Sequence, residues 1–484
     1  METKQLPSVR KNLILNILLS VSSILFPLIS YPYVFRVLQP EGIGKVALAT
    51  SVIAYFSMFA QLGIPTYGIR ACAKVRDDRQ ALSRTVHELL GINLVMDGIT
   101  YALLAGAILL IPKLREERLL YMIISITILL NSIGMEWLYH ALEKYMYMTI
   151  RSIVFKTIAL GALFLLVKQN EDYVIYGAIS IFAASASNIM NFFYARKSVD
   201  VRIVGKMDWK RHLKPVAIFF ALACAATIYT NLDSVMLGFM TTDADVGYYN
   251  AAVKVKSLLV NVVTALGAVL LPRSSWYVEH GQMGDFRRMT VKALRFILLV
   301  ATALSVYFML YAKECILFLS GDTFLPAKPA MQIIMPTVLM IGLTNILGIQ
   351  ILVPLGKEKV VLKSEIAGAI VDLILNLILI PRYRAAGAAI GTLAAETMVF
   401  FVQYLELRGE IGTLFRNYRW MRLAAGLTIA AAAGIWVKYT GMKPVMTLII
   451  SAICFFTAYG GFMLWQKEET MTESIELVRR KIRK

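Results

Sequence analysis

Arg36-Val-Leu-Gln-Pro-Glu-Gly-Ile-Gly44-Lys-Val-Ala-Leu-Ala49 follows an apolar run that starts at Leu13 and continues through Tyr33. After a later apolar run the chain reads Gly238-Phe-Met-Thr-Thr-Asp-Ala-Asp-Val-Gly247-Tyr-Tyr-Asn-Ala-Ala252, which places Gly247 203 residues after Gly44. Leu62-Gly63 and Leu266-Gly267 repeat at 204, each followed by a proline (Pro65, Pro272) and a basic loop. Tyr176-Gly177-Ala178 answers Ala386-Gly387-Ala388 at 210. The shared order and near-constant offset mark an internal repeat. A hydrocarbon core of ~30 Å needs about 20 helical residues. On that ruler the first half holds spans at 12–34, 43–63, 86–111, 119–140, 148–167 and 173–194. The second holds 213–239, 247–271, 292–312, 330–353, 361–380, 385–407, 420–438 and 445–465. Six spans per repeat is an even number, so the halves share an orientation about an axis along the membrane normal. The expected fold is an all-α polytopic membrane protein of about fourteen transmembrane helices. Two six-helix lobes, 1–211 and 212–409, flank a central cavity; two extra helices occupy 410–466 and a basic tail 467–484.

Composition agrees. Of 484 residues, 58% are apolar and 17% charged, with mean hydropathy +0.65. A soluble chain runs near 45–50% apolar and about 25% charged, so neither one soluble core nor disorder fits. The formal charge of +19 would suggest a nucleic-acid partner on a soluble chain; on a membrane chain it belongs to cytoplasmic loops facing anionic lipid. Lys4 and Arg10-Lys11 resemble a signal-peptide start, but no small-residue cleavage site interrupts the run that follows. With the N-terminus inside, 35 Lys and Arg fall on that side and 12 outside, which puts both termini in the cytoplasm.

Searches for catalytic chemistry come back empty. The cysteines (Cys72, Cys224, Cys315, Cys454) lie far apart, unlike a disulfide framework or zinc site. His87, His140, His212 and His280 are isolated in sequence, and no phosphate-binding Gly-Lys loop is present. Asp243-Ala244-Asp245 reads as a turn. The chain is expected to transport rather than catalyse, without a resident cofactor, driven by an ion gradient, the membrane potential or the substrate gradient. The tail looks like an amphipathic surface helix suited to anionic lipid.

Polar residues recur inside spans at helical spacing. Span 8 carries Asn250, Lys254, Ser257, Asn261 and Thr264 on one face; span 7 carries Thr227, Asn231 and Ser234, with Asp233 beside them. Span 11 carries Glu365, Asp372 and Asn376, span 12 Thr392, Glu396 and Gln403, and span 3 Asn93, Asp97 and Thr100. Each stripe could be interhelical hydrogen-bond glue; together those of spans 7, 8, 11 and 12 suggest a wet cavity. A charge at mid-bilayer costs at least ~2.5–3.5 kcal/mol, so Lys156, Lys254 and Lys256 within spans point to an anionic ligand. Arg36, Arg70, Arg151 and Arg273, at span ends, either join them or snorkel to headgroups.

The opening Tyr33–Gly44, with Leu62-Gly63-Ile-Pro-Thr-Tyr-Gly-Ile-Arg70, resembles the polysaccharide-unit exporters. These are the Wzx-type O-antigen flippases of the multidrug/oligosaccharidyl-lipid/polysaccharide superfamily. Glu136-Trp137 through Lys144, followed by Arg151, looks like a further family segment, with Ala141 where glycine is usual. Asn231-Leu-Asp233 through Gly238, with Val246-Gly247-Tyr248 and Lys254, resembles its span-7/span-8 signature. The resemblance covers essentially the whole chain. It implies movement of undecaprenyl-diphosphate-linked oligosaccharide from the inner to the outer leaflet of a bacterial plasma membrane, by alternating access. Its partners would be membrane lipid, glycosyltransferases and a polysaccharide polymerase, and a monomer would suffice. The diphosphate and sugar would meet Lys254, Lys256, Arg273, Lys156, Arg151, Arg36, Arg70, Asn250 and Asn261.

By likeness to the related lipid II flippases, Asp233, Asp372, Asn376 and Thr392 would couple transport to sodium or a proton. The order Asp-then-Asn on span 11 is reversed here, and residues 12–35 lack the first-span Arg-Asp pair of those flippases, which disfavours lipid II as substrate. The alternatives are a cation-coupled multidrug exporter of the same superfamily, then a membrane polymerase or ligase. The first would call for acids where this chain has lysines, and the second for a large outside loop that it lacks.

Overall fold

A computed structural model describes residues 9–468 apart from 201, 203, 204 and 206; most of the expected basic tail, 469–484, lies outside the described residues. These form helices joined by short turns, with no strand among them. The helices are α1 (Val9–Gln61), α2 (Ile64–Lys74), α3 (Arg79–Leu110), α4 (Pro112–Glu116), α5 (Arg118–Gly134), α6 (Glu136–Ala141), α7 (Tyr145–Leu166), α8 (Tyr173–Ile181), α9 (Ser187–Ala195) and α10 (Lys210–Met240). They continue as α11 (Asp243–Glu279), α12 (Met283–Leu310), α13 (Ala312–Leu319), α14 (Lys328–Ile334), α15 (Thr337–Thr344), α16 (Glu358–Asn417), α17 (Trp420–Ile435) and α18 (Pro444–Trp465).

Among the described residues, ten helices are long and apolar enough to cross a membrane, or eleven if Asp322–Ile334 and Thr337–Leu352, bent by 42°, form one span. The chain is therefore a multi-pass membrane protein. Fourteen spans are not confirmed: α1 and α16 each run through two of the expected ones, and α11, expected as span 8, is not among the helices that are long and apolar enough. α1 takes in 12–34 and all but the last two residues of 43–63, and α16 includes 361–380 and 385–407. A straight helix of 55 residues would reach ~80 Å, more than twice the hydrocarbon core. Each is broken instead by one residue with positive φ: Gln39 (φ 58°) just before Pro40, and Arg384 (φ 50°) after Pro381. Pro40 lacks the N–H that a continuous helix would use, and its ring restricts Gln39. In α16 the two halves fold back on each other. A Cβ on Gly387 would lie 2.5 Å from the Leu379 carbonyl oxygen, and Gln403 Nε2 donates to Ser364 Oγ at 3.1 Å.

The chain divides into two compact units between Gly247 and Tyr248. In the first, α1 is the hub against which α3, α5, α7 and α10 pack, while α2 lies against α3, α6 and α10. Its buried cluster includes Ile64, Leu89, Ile92, Trp137 and Leu138. In the second, α14 and α15 pack on α16, and α12 packs on α15 and α17, with Tyr307, Tyr311, Phe455 and Tyr459 in a shared core. Lipid tails are as apolar as leucine, so helix association here rests on close packing and hydrogen bonds.

One close approach links the repeat to the fold. A Cβ on Gly44 would overlap the carbonyl oxygen of Asp243, and one on Gly247 would overlap that of Pro40. Pro40 stands four residues before Gly44, and Asp243 four before Gly247. Each glycine thus receives the backbone one turn ahead of its counterpart. Asp243-Ala244-Asp245 is the start of α11: Thr242 Oγ1 donates to Asp245 Oδ2 at 2.8 Å, and the Asp245 N–H donates to Thr242 Oγ1 at 3.3 Å. Asp243 also pairs with Lys113 at 3.0 Å.

Candidate functional site

In the second unit, α11 separates its two faces cleanly. Val255, Leu259 and Val263 are buried at helical spacing, and Val263 packs where Gly342 and Ile297 approach. Lys254, Lys256 and Asn250 are half-buried, and Ser257 and Asn261 exposed. Ser257 and Thr264 return their hydroxyls to Val253 and Val260 carbonyl oxygens at 2.8 Å, which meets their own hydrogen-bonding need within the helix. Lys254 therefore stands on an accessible polar face, opposite the packed one. Arg273, further along, is exposed, with Nε donating to Tyr277 Oη at 3.2 Å and its guanidinium 5.7 Å from that ring.

The same unit gathers three of the four expected coupling residues. Asp372 and Asn376, 1% and 0% exposed, stand one turn apart on the first half of α16. The fold-back brings Gly391 and Thr392 opposite them. A Cβ on Gly391 would lie 2.9 Å from Asp372 Oδ1 and would overlap Asn376 Oδ1. Thr392 Oγ1 hydrogen-bonds Tyr249 Oη at 2.9 Å. The result is a cluster of oxygen groups in which a glycine makes room for two side-chain oxygens.

In the first unit the cations differ in character. Arg151 is 5% exposed; Nη2 donates to Glu136 Oε1 at 2.8 Å and Nη1 to the Ser187 carbonyl oxygen at 3.2 Å. It braces α6, α7 and α9. Arg36 and Arg70 are exposed: Arg36 Nη1 donates to the Pro32 carbonyl oxygen at 2.6 Å, and Arg70 lies 5.8 Å from the Phe219 ring. Lys156 is half-buried on α7. Asp233 and Ser234 are buried on α10, at 6% and 9%.

The span-3 stripe is glue. Asn93 Nδ2 donates to the Ala60 carbonyl oxygen at 3.1 Å, and Ser132 Oγ to Asp97 Oδ1 at 2.9 Å. What sequence reasoning missed is the polar wall of α1 and α2. Ser57, Gln61 and Thr66 share a cavity with Thr227 and Asn231. The i, i+4 spacing of Ser57 and Gln61 was the available signal. No group of three or more His, Cys, Asp or Glu suited to a metal occurs among the described residues.

The chain is similar in sequence and in fold to known proteins. The chain is 26% identical over 416 residues to an Escherichia coli K12 protein named "Putative O-antigen transporter", covering 85% of this chain and 99% of that one. A Shigella dysenteriae protein of the same name is 25% identical over 394 residues, covering 81% and 98%. In fold the chain is similar to the inward closed conformation of the lipid II flippase MurJ, with TM-score 0.72, 14% identity, and 94% and 99% of the two chains covered. It is also similar to an inward-facing multidrug transporter of the MATE family, with TM-score 0.63, 13% identity, and 82% and 96% covered. A model described as polysaccharide biosynthesis protein matches residues 9–278, more than half the length. The chain thus belongs to the polysaccharide biosynthesis protein family.

Proposed function

We propose that the protein is a flippase for undecaprenyl-diphosphate-linked oligosaccharide, carrying repeat units from the inner to the outer leaflet of a bacterial plasma membrane by alternating access. The observation that carries this reading is the accessible stripe of α11, the helix expected as span 8, where a lysine stands among asparagine and serine. Ammonium groups match a diphosphate, and neutral amides and hydroxyls match sugar. A multidrug exporter of similar fold would call for acids in place of Lys254 and Lys256. In this reading Lys254, Lys256, Asn250, Asn261 and Lys156 meet the headgroup. Arg36, Arg70 and Arg273, at span ends, guide the diphosphate in or out. Arg151 acts indirectly, by fixing α7 against Glu136. One protomer suffices, both termini are cytoplasmic, and glycosyltransferases and a polymerase act before and after it.

Depletion of the protein should make the complete lipid-diphosphate oligosaccharide accumulate facing the cytoplasm. Lys254→Ala is expected to lower transport about tenfold or more, the loss of one charge-assisted contact, with normal membrane insertion. Unchanged transport by this variant would remove the lysine, and with it the main support for the reading.

Coupling is proposed for Asp372, Asn376 and Thr392, and for Asp233 from its own unit. The oxygen-only donors around Gly391 suit a hard cation such as sodium, and a carboxylate in this set could equally carry a proton. Asp372→Asn and Asp233→Asn should each flatten the response of transport to an imposed sodium or pH gradient. If both variants track the gradient as the wild type does, coupling lies elsewhere.

A further inference from the structure

Between α1, α2 and the middle of α10, all within the first unit, lies a cavity of about 280 Å³, just below the ~300–1000 Å³ typical of small-molecule sites and enough for a single ring. Three hydroxyls (Ser57, Thr66, Thr227) and two carboxamides (Gln61, Asn231) line it, and no ionisable side chain does. Between them the hydroxyls and amides can both donate and accept. Gln61 Nε2 donates to Ser57 Oγ at 2.9 Å, and Asn231 Nδ2 donates to the Thr227 carbonyl oxygen at 3.0 Å and to Thr230 Oγ1 at 3.1 Å. Both amides act as donors in these bonds, and each also carries a side-chain carbonyl oxygen able to accept. The rest of the lining is small or flexible and apolar, with Ala54, Met58 and Pro65 among it.

This composition selects by exclusion. A diphosphate requires cations, and none is here. An isoprenoid tail would strand five polar groups against hydrocarbon, each at a desolvation cost. A cationic drug would lack a carboxylate. A neutral sugar ring satisfies both halves of the lining: its hydroxyls or acetamido group exchange hydrogen bonds with the polar set, and its C–H face lies on the apolar part.

We propose that this cavity is the glycan subsite, holding one uncharged ring of the carried oligosaccharide. The inference rests on the flippase reading and assigns its sugar recognition to Ser57, Gln61, Thr66, Thr227 and Asn231.

The test uses the purified full-length protein in lipid nanodiscs and two probes, undecaprenyl diphosphate and undecaprenyl-diphosphate-linked N-acetylglucosamine. Wild type should bind the sugar-bearing lipid more tightly. Asn231→Leu and Gln61→Leu should each weaken that binding about tenfold, the loss of one or two hydrogen bonds, while binding of the sugar-free lipid changes less than about twofold. A second measurement does not depend on those variants folding. In a Cys224→Ser background, Thr227→Cys should react with a maleimide, and only the sugar-bearing lipid should protect it. Equal affinity of wild type for both probes, equal losses for both probes in the variants, or equal protection by both overturns the glycan assignment alone. Wild type that binds neither probe overturns the flippase reading as well.

Discussion

Gly44→Val is expected to abolish transport and to strip most of the folded protein from the membrane. The valine Cβ would fall on the Asp243 carbonyl oxygen, part of the backbone and unable to swing aside. Overpacking usually costs ~1–3 kcal/mol when side chains can give way; against fixed backbone the cost should exceed about 3 kcal/mol, a large share of the ~5–15 kcal/mol that holds a protein folded. Gly247→Val should match it, because its Cβ meets the Pro40 carbonyl oxygen in the reciprocal way. Gly98→Ala is the control. Nothing lies within 4 Å of a Cβ there, and alanine is the better helix former by up to ~1 kcal/mol, so level and transport should hold. Membrane abundance and thermal stability in detergent report the folding part. If Gly44→Val accumulates and melts like wild type, the two backbones do not meet as described.

That contact also explains why the repeat could be read at all. A glycine conserves space, and space between backbones is needed at both equivalent places, so the same residue returns after the same interval. Helix content, the membrane and the family were legible for a similar reason: each is written in local periodicity or in short motifs. The Lys254 stripe was legible because its members lie on one helix. The number of separate helices was not. It depends on how a chain reverses without a loop, and at Gln39 and Arg384 one non-helical residue separates two helices with no turn sequence between them to mark the boundary. Partnerships across the fold were hidden altogether. Arg151 looks like any span-end cation until Glu136 is found across the tight turn at Glu143, which takes φ 54°. His212, isolated in sequence, lies against a carboxylate 124 residues away.

That carboxylate carries the second large expected effect: Glu88→Leu should destabilise the first unit by ~1–3 kcal/mol, because buried His212 loses its partner and Arg84 and Arg211 lose the acceptor that holds them. Glu88 is fully buried on α3. Oε1 accepts from Arg84 Nε at 3.0 Å and from the Asp208 N–H at 2.8 Å. Oε2 accepts from Arg211 Nε at 2.8 Å and contacts His212 Nε2 at 2.8 Å, while Tyr67 Oη on α2 meets His212 Nδ1 at 2.8 Å. One side chain thus ties α2 and α3 to the first turn of α10. The other end of α10 runs into Thr242 and Asp243, where Gly44 receives the chain, so α10 is fastened at both ends to the preceding helices. Glu88→Gln keeps the size and an acceptor oxygen but loses the charge, and should retain part of the stability that Glu88→Leu loses. The ordering wild type, then glutamine, then leucine in thermal stability would identify the carboxylate as the fastening. Equal melting of Glu88→Leu and wild type would mean that packing alone positions α10, leaving the polar cluster without mechanical consequence.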